Sequence, residues 1–140
     1  MRPTYSVEQI LGSRSRVLVL RLLHYVNVPL NASQVAARSG LSQPAAATAL
    51  EQLGGMGLVA SSPAGRAWVH WLVRDNVYAE QIVSSVFEGE MEIVGELLSD
   101  LMMVFSDHTA SVVLYGSYAR GDQNAQSDID VVLVASTIEG

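Results

Sequence analysis

Two short motifs, Gly116-Ser117 and Asp128-Ile129-Asp130, constrain the fold of this chain more than any other feature. Each adjoins an apolar stretch typical of a buried strand: residues 112–115 lead into the first motif, and residues 131–134 follow the second. Because side chains alternate faces along a strand, the two aspartates are expected to share one face while Ile129 points into the core. Two like charges held side by side repel each other, which suggests a cation between them. Carboxylate oxygens suit Mg²⁺, so the pair predicts a magnesium site.

The Gly-Ser pair predicts the complementary half of a nucleotide site. Glycine allows the backbone to come close to a ligand, and the first N–H groups of the short helix expected to follow it favour anions. Phosphate at this turn and metal at the carboxylates together indicate a nucleoside-triphosphate site.

The stretch of residues 112–134 resembles the nucleotidyltransferase fold of the polymerase-β-like enzymes, in their small prokaryotic form. The resemblance rests on the Gly-Ser-x-Ala-Arg-Gly turn, the short gap and the Ser-Asp-x-Asp strand. It implies that Asp128 and Asp130 are catalytic and hold Mg²⁺, with a two-metal site possible, and that Gly116 and Ser117 bind the β- and γ-phosphates. Arg120 either neutralises phosphate charge or pairs with a nearby aspartate to hold the turn. The alternative is a βαβ unit whose aspartate pair merely caps a strand.

Enzymes of this family carry a third carboxylate on a later strand. This sequence ends at Gly140, ten residues after Asp130, and Glu139 is too close to come from a separate strand. We therefore expect a domain truncated at its C-terminus, which belongs to a longer chain or is completed by a partner or a second copy. Little catalysis is expected from this chain alone.

The first half of the chain predicts four helices, the first of them short, followed by a β-hairpin. Ser6, Ser13, Asn31 and Ser42 each stand at a helix-capping position, and a Pro/Gly-rich loop at residues 61–66 separates two short strands. This order resembles the winged helix-turn-helix of bacterial transcription regulators.

The resemblance implies that the helix after Ser42 faces the major groove of DNA through Gln43, Ala47 and Thr48, with Arg38 nearby and Arg66 at the wing tip. Because this helix contains no basic residue, one copy is expected to bind DNA weakly and a homodimer better. The alternative is a winged helix used for dimerisation or partner docking.

The charge distribution agrees with two modules. Residues 1–75 contain seven arginines and three acids, a net charge of +4, whereas residues 76–140 contain one arginine and eleven acids, a net charge of −10. The basic half is the candidate for nucleic acid. The absence of cysteine excludes disulfides and zinc–thiolate sites. No apolar run approaches the length of a membrane span, so we expect a cytoplasmic protein with no membrane partner.

These observations predict an α/β (α+β) protein: a winged helix-turn-helix at residues 1–73, then connecting helices and the first half of a nucleotidyltransferase α/β fold at residues 74–140. The helical segment is expected to soften at Glu88-Gly89-Glu90, and its methionines Met91, Met102 and Met103 to lie in the core or a dimer interface. His24, His70 and His108 are expected to be structural. The favoured function is a DNA-binding regulator that transfers a nucleotidyl group to a protein or other acceptor; the alternatives are a non-catalytic regulator that uses this fold as nucleotide sensor or dimerisation body, and an interaction protein that binds neither ligand.

Overall fold

The computed structural model describes residues 5–105, 109–115 and 130–135. Its contacts divide the chain into two compact units, Met1–Phe87 and Glu88–Gly140. The helices and strands along the chain are α1 Val7–Leu11, α2 Arg14–Tyr25, β1 Leu30–Asn31, α3 Ala32–Ser39, α4 Gln43–Gly55, β2 Val59–Ala64, β3 Ala67–Leu72, α5 Ser84–Phe105, β4 Thr109–Tyr115 and β5 Asp130–Ala135. Helices combined with small antiparallel sheets confirm the expected α+β class. The domain boundary expected between residues 73 and 74 stays a prediction.

Local capping fixes the helices of the first unit. The side chains of Ser6, Ser13, Asn31 and Ser42 each accept a hydrogen bond from the backbone N–H three residues later, at the first turns of α1, α2, α3 and α4 respectively. Gly40 ends α3 with φ of 73°, a left-handed conformation that glycine adopts without steric cost. A short turn thus joins α3 to α4, and these two helices with their turn form the helix-turn-helix predicted from the sequence.

The wing is a three-stranded antiparallel sheet in the order β1-β3-β2. It is longer than expected, because β2 continues through Ala64 and the connection is the two-residue turn Gly65-Arg66 rather than a loop over residues 61–66. Pro63 is tolerated within β2 because this strand lies at the edge of the sheet, where a missing N–H costs no ladder bond.

The core of the first unit gathers apolar side chains from every element up to the start of α5. Phe87 is fully buried there, and the Arg21 guanidinium carbon lies 5.1 Å from its ring centroid. The Tyr25 hydroxyl donates a 3.2 Å hydrogen bond to the Phe87 carbonyl oxygen. The core cluster is formed by Ile10, Val19, Leu20, Leu23, Leu30, Val35, Ala36, Ala46, Ala49, Leu50, Leu53, Leu58, Val59, Leu72, Ala79, Val83 and Phe87.

The helical segment before the second unit differs from the expectation. A π-helical turn, Ala79–Val83, runs directly into α5, and α5 continues through Gly89 for 22 residues. The separate helices expected before and after Glu88-Gly89-Glu90 are therefore wrong, since one helix spans these residues. Helix hydrogen bonds on both sides of a single glycine offset its propensity cost of roughly 1 kcal/mol.

The second unit contains the rest of α5 and an antiparallel pair formed by β4 and β5. The pairing places Tyr115 opposite Asp130 and Val113 opposite Val132. Gly116, Ser117, Arg120 and Asp128 lie outside the described residues.

Candidate functional site

The register of β4 and β5 pairs the residue before the Gly-Ser motif with the last residue of the Asp-x-Asp motif. Tyr115, the last residue of β4, pairs with Asp130, the first residue of β5. Gly116 follows Tyr115 directly in the chain, and Asp128 precedes Asp130 by two residues. Consequently the Gly-Ser motif starts where the Asp-x-Asp motif ends.

Asp130 lies on a hairpin face that is open to solvent. Residues directly opposite each other, and residues two apart on one strand, share a face, so Asp130 shares its face with Val113, Val132 and Val134. These valines are 47, 45 and 44% exposed, and Asp130 itself is half-buried. A carboxylate in this position is accessible to a hydrated cation. Among residues 5–105, 109–115 and 130–135, no group of three or more His, Cys, Asp or Glu side chains could hold a metal.

Helix α4 presents the expected polar positions on its outer face. Gln43, Ala47 and Thr48 are exposed, while Ala46, Ala49, Leu50 and Leu53 on its inner face are buried. Glu51 is also exposed and is the charged residue of this helix. The outer face can therefore offer hydrogen bonds to base edges, but it supplies no positive charge for phosphate.

The six arginines among the described residues of the first unit fall into two groups, and three of them stabilise the fold. Arg21 is buried against Phe87. Arg16 donates from Nη1 to the Gln52 side chain at 2.9 Å. Arg74 donates from Nη2 to the carbonyl oxygens of Leu23 and His24 at the end of α2, at 3.2 and 3.0 Å.

The second group consists of Arg14, Arg38 and Arg66, which are exposed. None of the hydrogen bonds or ion pairs found within the described part of the chain involves these three side chains. Among the described residues of the first unit, three of the six arginines are therefore available to a nucleic acid.

The wing carries a polar pair that sequence reasoning missed. Ser61 and His70 lie directly opposite each other on β2 and β3, and the Ser61 Oγ is 2.6 Å from the His70 Nδ1. Partial burial lowers the pKa of His70 from its ordinary value of 6.5. The Pro/Gly-rich composition of residues 61–66 favours a loop and hides this pair, whereas strand alternation continued to Ala64 pairs Ser61 with His70.

Trp68 occupies the next rung towards the wing tip. It pairs with Pro63, and its side chain is 58% exposed. It lies two residues from both Arg66 and His70 in β3 and its turn. The wing tip thus combines an exposed indole with one positive charge.

Comparison with known proteins supports two separate similarities. The family described as "Nucleotidyltransferase domain" matches residues 95–137. Two putative protein adenylyltransferases of Methanocaldococcus jannaschii are 41% identical over 44 residues and 35% identical over 46 residues, which cover 31 and 33% of this chain. The matches span 44 and 46% of those proteins, so the chain covers less than half the length of the curated relatives it matches.

Solved structures resemble the chain in fold at low sequence identity. NadR in complex with 4-hydroxyphenylacetate superposes with a TM-score of 0.53 at 18% identity, covering 68% of this chain and 70% of that one. Wild-type ZitR of Lactococcus lactis in complex with DNA superposes with a TM-score of 0.50 at 18% identity, covering 76 and 73%. No helix in the described residues is both long and apolar enough to cross a membrane. The chain thus joins a unit with a winged helix-turn-helix fold to a region that is similar in sequence to nucleotidyltransferase domains.

Proposed function

We propose that this chain is a DNA-binding regulator whose second module binds a magnesium-bound nucleoside triphosphate and transfers its nucleotidyl group to a protein hydroxyl. The observation that carries the proposal is the pairing of Tyr115, the residue before the phosphate motif, with Asp130 of the carboxylate motif. The similarity to putative protein adenylyltransferases supports an adenylyl group and a protein acceptor. Because the chain covers less than half of those relatives, both choices belong to the proposal.

In this proposal Asp128 and Asp130 hold Mg²⁺, and Gly116 and Ser117 bind the phosphates. Asp130 fits such a role, since it is a hard oxygen donor on an accessible face of the hairpin. Bound Mg²⁺ would neutralise the negative charge that develops on the phosphates. Arg120 would add positive charge beside them.

The DNA site in this proposal is the outer face of α4 together with the wing. Gln43, Ala47 and Thr48 would meet base edges, and Arg38 and Arg66 would meet phosphates. The similarity in fold to ZitR in complex with DNA supports this arrangement.

We propose further that the protein acts as a homodimer in the cytoplasm. Ile93, Leu97 and Val104 lie along one side of α5 and are 69, 36 and 74% exposed. A second copy would cover this stripe, and it would double the few free arginines available to DNA. Of the methionines, Met103 is 75% exposed, which favours an interface over a core position.

The second candidate function is a non-catalytic regulator in which the second unit senses nucleotide or serves as dimerisation body. The exposed stripe of α5 favours a dimerisation role. Transfer of a labelled nucleotide to any acceptor separates the enzyme from the sensor.

The first test is nucleotide binding by the whole chain. Calorimetric titration with ATP is expected to give Mg²⁺-dependent binding that disappears in Asp128→Ala and Asp130→Ala and persists in Asp75→Ala, which removes an exposed acid of the first unit. Absence of binding by the unmodified chain would overturn the proposal for the second module.

The second test is DNA binding. A labelled duplex is expected to shift with strong salt dependence, and Arg66→Ala is expected to weaken the shift. If no duplex shifts at low salt, the winged helix has a docking role instead.

A further inference from the structure

The wing contains a serine hydroxyl that lies beside a histidine imidazole. Ser61 is exposed, and its Oγ lies 2.6 Å from the His70 Nδ1 across the β2–β3 ladder. Since burial lowers the pKa of His70, the imidazole is neutral at pH 7, and in its Nε2–H tautomer Nδ1 accepts the hydroxyl proton. A hydroxyl that donates to a neutral imidazole is the arrangement of an activated oxygen nucleophile.

The surroundings of this pair leave its hydroxyl reachable. On the same face, the rung on the inner side is Val59–Leu72, which is buried, and the rung on the outer side is Pro63–Trp68, which is exposed. The Ser61–His70 pair therefore lies between the buried base of the wing and its exposed tip. Adjacent rungs on one face are about 7 Å apart, so a base attached through Ser61 could stack on the Trp68 indole.

We propose that the Ser61 hydroxyl is an acceptor for the nucleotidyl group, with His70 as general base, and that this modification weakens the contact between the wing and DNA. The inference rests on the proposed function, because it names an acceptor for that transfer. The Ser61 oxygen forms a bond to the α-phosphorus of a nucleoside triphosphate, and the bond from that phosphorus to the bridging oxygen of the β-phosphate breaks. The hydroxyl proton passes to His70 Nδ1, and pyrophosphate leaves.

The regulatory consequence follows from charge. The phosphodiester formed at Ser61 carries one negative charge, five residues before Arg66 in the wing. Each copy offers three free arginines, Arg14, Arg38 and Arg66, in the described residues, so one added anion in the wing offsets a substantial share of its attraction for phosphate. The nucleotidyl group would also occupy space between the wing and the duplex.

A purely structural role for the pair would tie β2 to β3 without reactivity. The two roles differ in what the neighbouring serine does. Ser62 follows Ser61 in β2 but lies on the opposite face, where it pairs with Val69. Ser62→Ala is therefore a matched control for Ser61→Ala.

The experiment incubates the whole chain with Mg²⁺ and labelled ATP for hours, since slow turnover is expected from a chain without the third carboxylate, and maps the label by peptide mass spectrometry. Label is expected at Ser61, absent in Ser61→Ala, retained in Ser62→Ala and in Ser61→Thr, and slowed by about a hundredfold in His70→Gln. Label that persists in Ser61→Ala, or a chain that binds Mg²⁺-ATP and labels another residue or none, overturns the inference while the nucleotide-binding part of the proposed function stands. Failure to bind Mg²⁺-ATP at all overturns the proposed function instead.

A second measurement tests the regulatory step without any transfer. Ser61→Asp places a negative charge at the site of modification, and Ser62→Asp places the same charge on the other face. Anisotropy of a labelled duplex is expected to show a loss of affinity of severalfold for Ser61→Asp and a smaller loss for Ser62→Asp. Equal affinities for the two variants would refute the effect on DNA contact.

Discussion

Replacing Arg66 by alanine is expected to reduce the salt dependence of DNA binding by a calculable amount. Each phosphate contact contributes about 0.9 to the slope of log affinity against log salt. Among the described residues of one copy, the three free arginines Arg14, Arg38 and Arg66 thus contribute about −2.7 to this slope, and those of a dimer about −5.4. Arg66→Ala reduces the magnitude of this slope by about 0.9 per copy. Raising the salt from 50 to 200 mM should therefore weaken DNA binding by the variant about 3.5-fold less, per copy, than binding by the unmodified chain.

Anisotropy of a labelled random-sequence duplex measures this slope at four or more salt concentrations. Arg74→Gln is the control, since it removes the same charge from a side chain whose Nη2 is bound to the Leu23 and His24 carbonyl oxygens. Circular dichroism verifies that this variant remains folded at the assay temperature. The reasoning is refuted if Arg66→Ala leaves the slope unchanged or if Arg74→Gln lowers it equally.

Three further predictions concern the stability of the winged-helix unit, measured by denaturant unfolding. Phe87→Ala is expected to cost about 3–5 kcal/mol because it empties a fully buried site, whereas Phe105→Ala, at a 36% exposed position, should cost far less. Gly40→Ala is expected to destabilise by about 1 kcal/mol through its φ of 73°, and Gly55→Ala, where nothing lies near the added carbon and φ is not positive, should be neutral or stabilising. Because folding lowers the pKa of His70, the unfolded chain binds the His70 proton more tightly than the folded chain, so the free energy of unfolding should fall as the pH drops through 6.5. His70→Gln should flatten this part of the plot of stability against pH. An unchanged plot in this variant would contradict the lowered pKa of His70.

The starts of the helices were predictable because capping is local. Ser6 and Asn31 each form a reciprocal capping box with the glutamine three residues later, so a window of four residues contains the whole signal. Gly40 is similar, since the left-handed turn it forms depends on its own backbone. The buried face of α4 followed from spacing alone.

The features that sequence reasoning missed depend on residues far apart in the chain. Glu88-Gly89-Glu90 suggested a break, yet the helix continues through it from a start anchored by Phe87 in the core of the first unit. Residues 61–64 contain two serines and a proline, which favour a loop locally, but pairing with β3 makes them a strand. The structural role of Arg74 could not be predicted for the same reason. Arg74 contacts the end of α2, about 50 residues earlier, and no local pattern in the sequence indicates that contact.

Binding of Mg²⁺-ATP at the hairpin end should also be visible as a gain in stability that requires Asp130. A ligand that binds the folded chain but not the unfolded chain raises the free energy of unfolding by about 2.7 kcal/mol when its concentration is 100 times its dissociation constant. Asp130→Asn is expected to remove this gain, because the residue paired with Tyr115 is the described carboxylate of the motif. Asp75→Asn, at an exposed position of the first unit, makes the same change in charge and should retain the gain, so a general effect of net charge would lower both variants alike. Thermal unfolding of each variant with Mg²⁺, with ATP and with both separates the outcomes. A full gain in Asp130→Asn would show that nucleotide binds elsewhere, and the register argument for this site would fail.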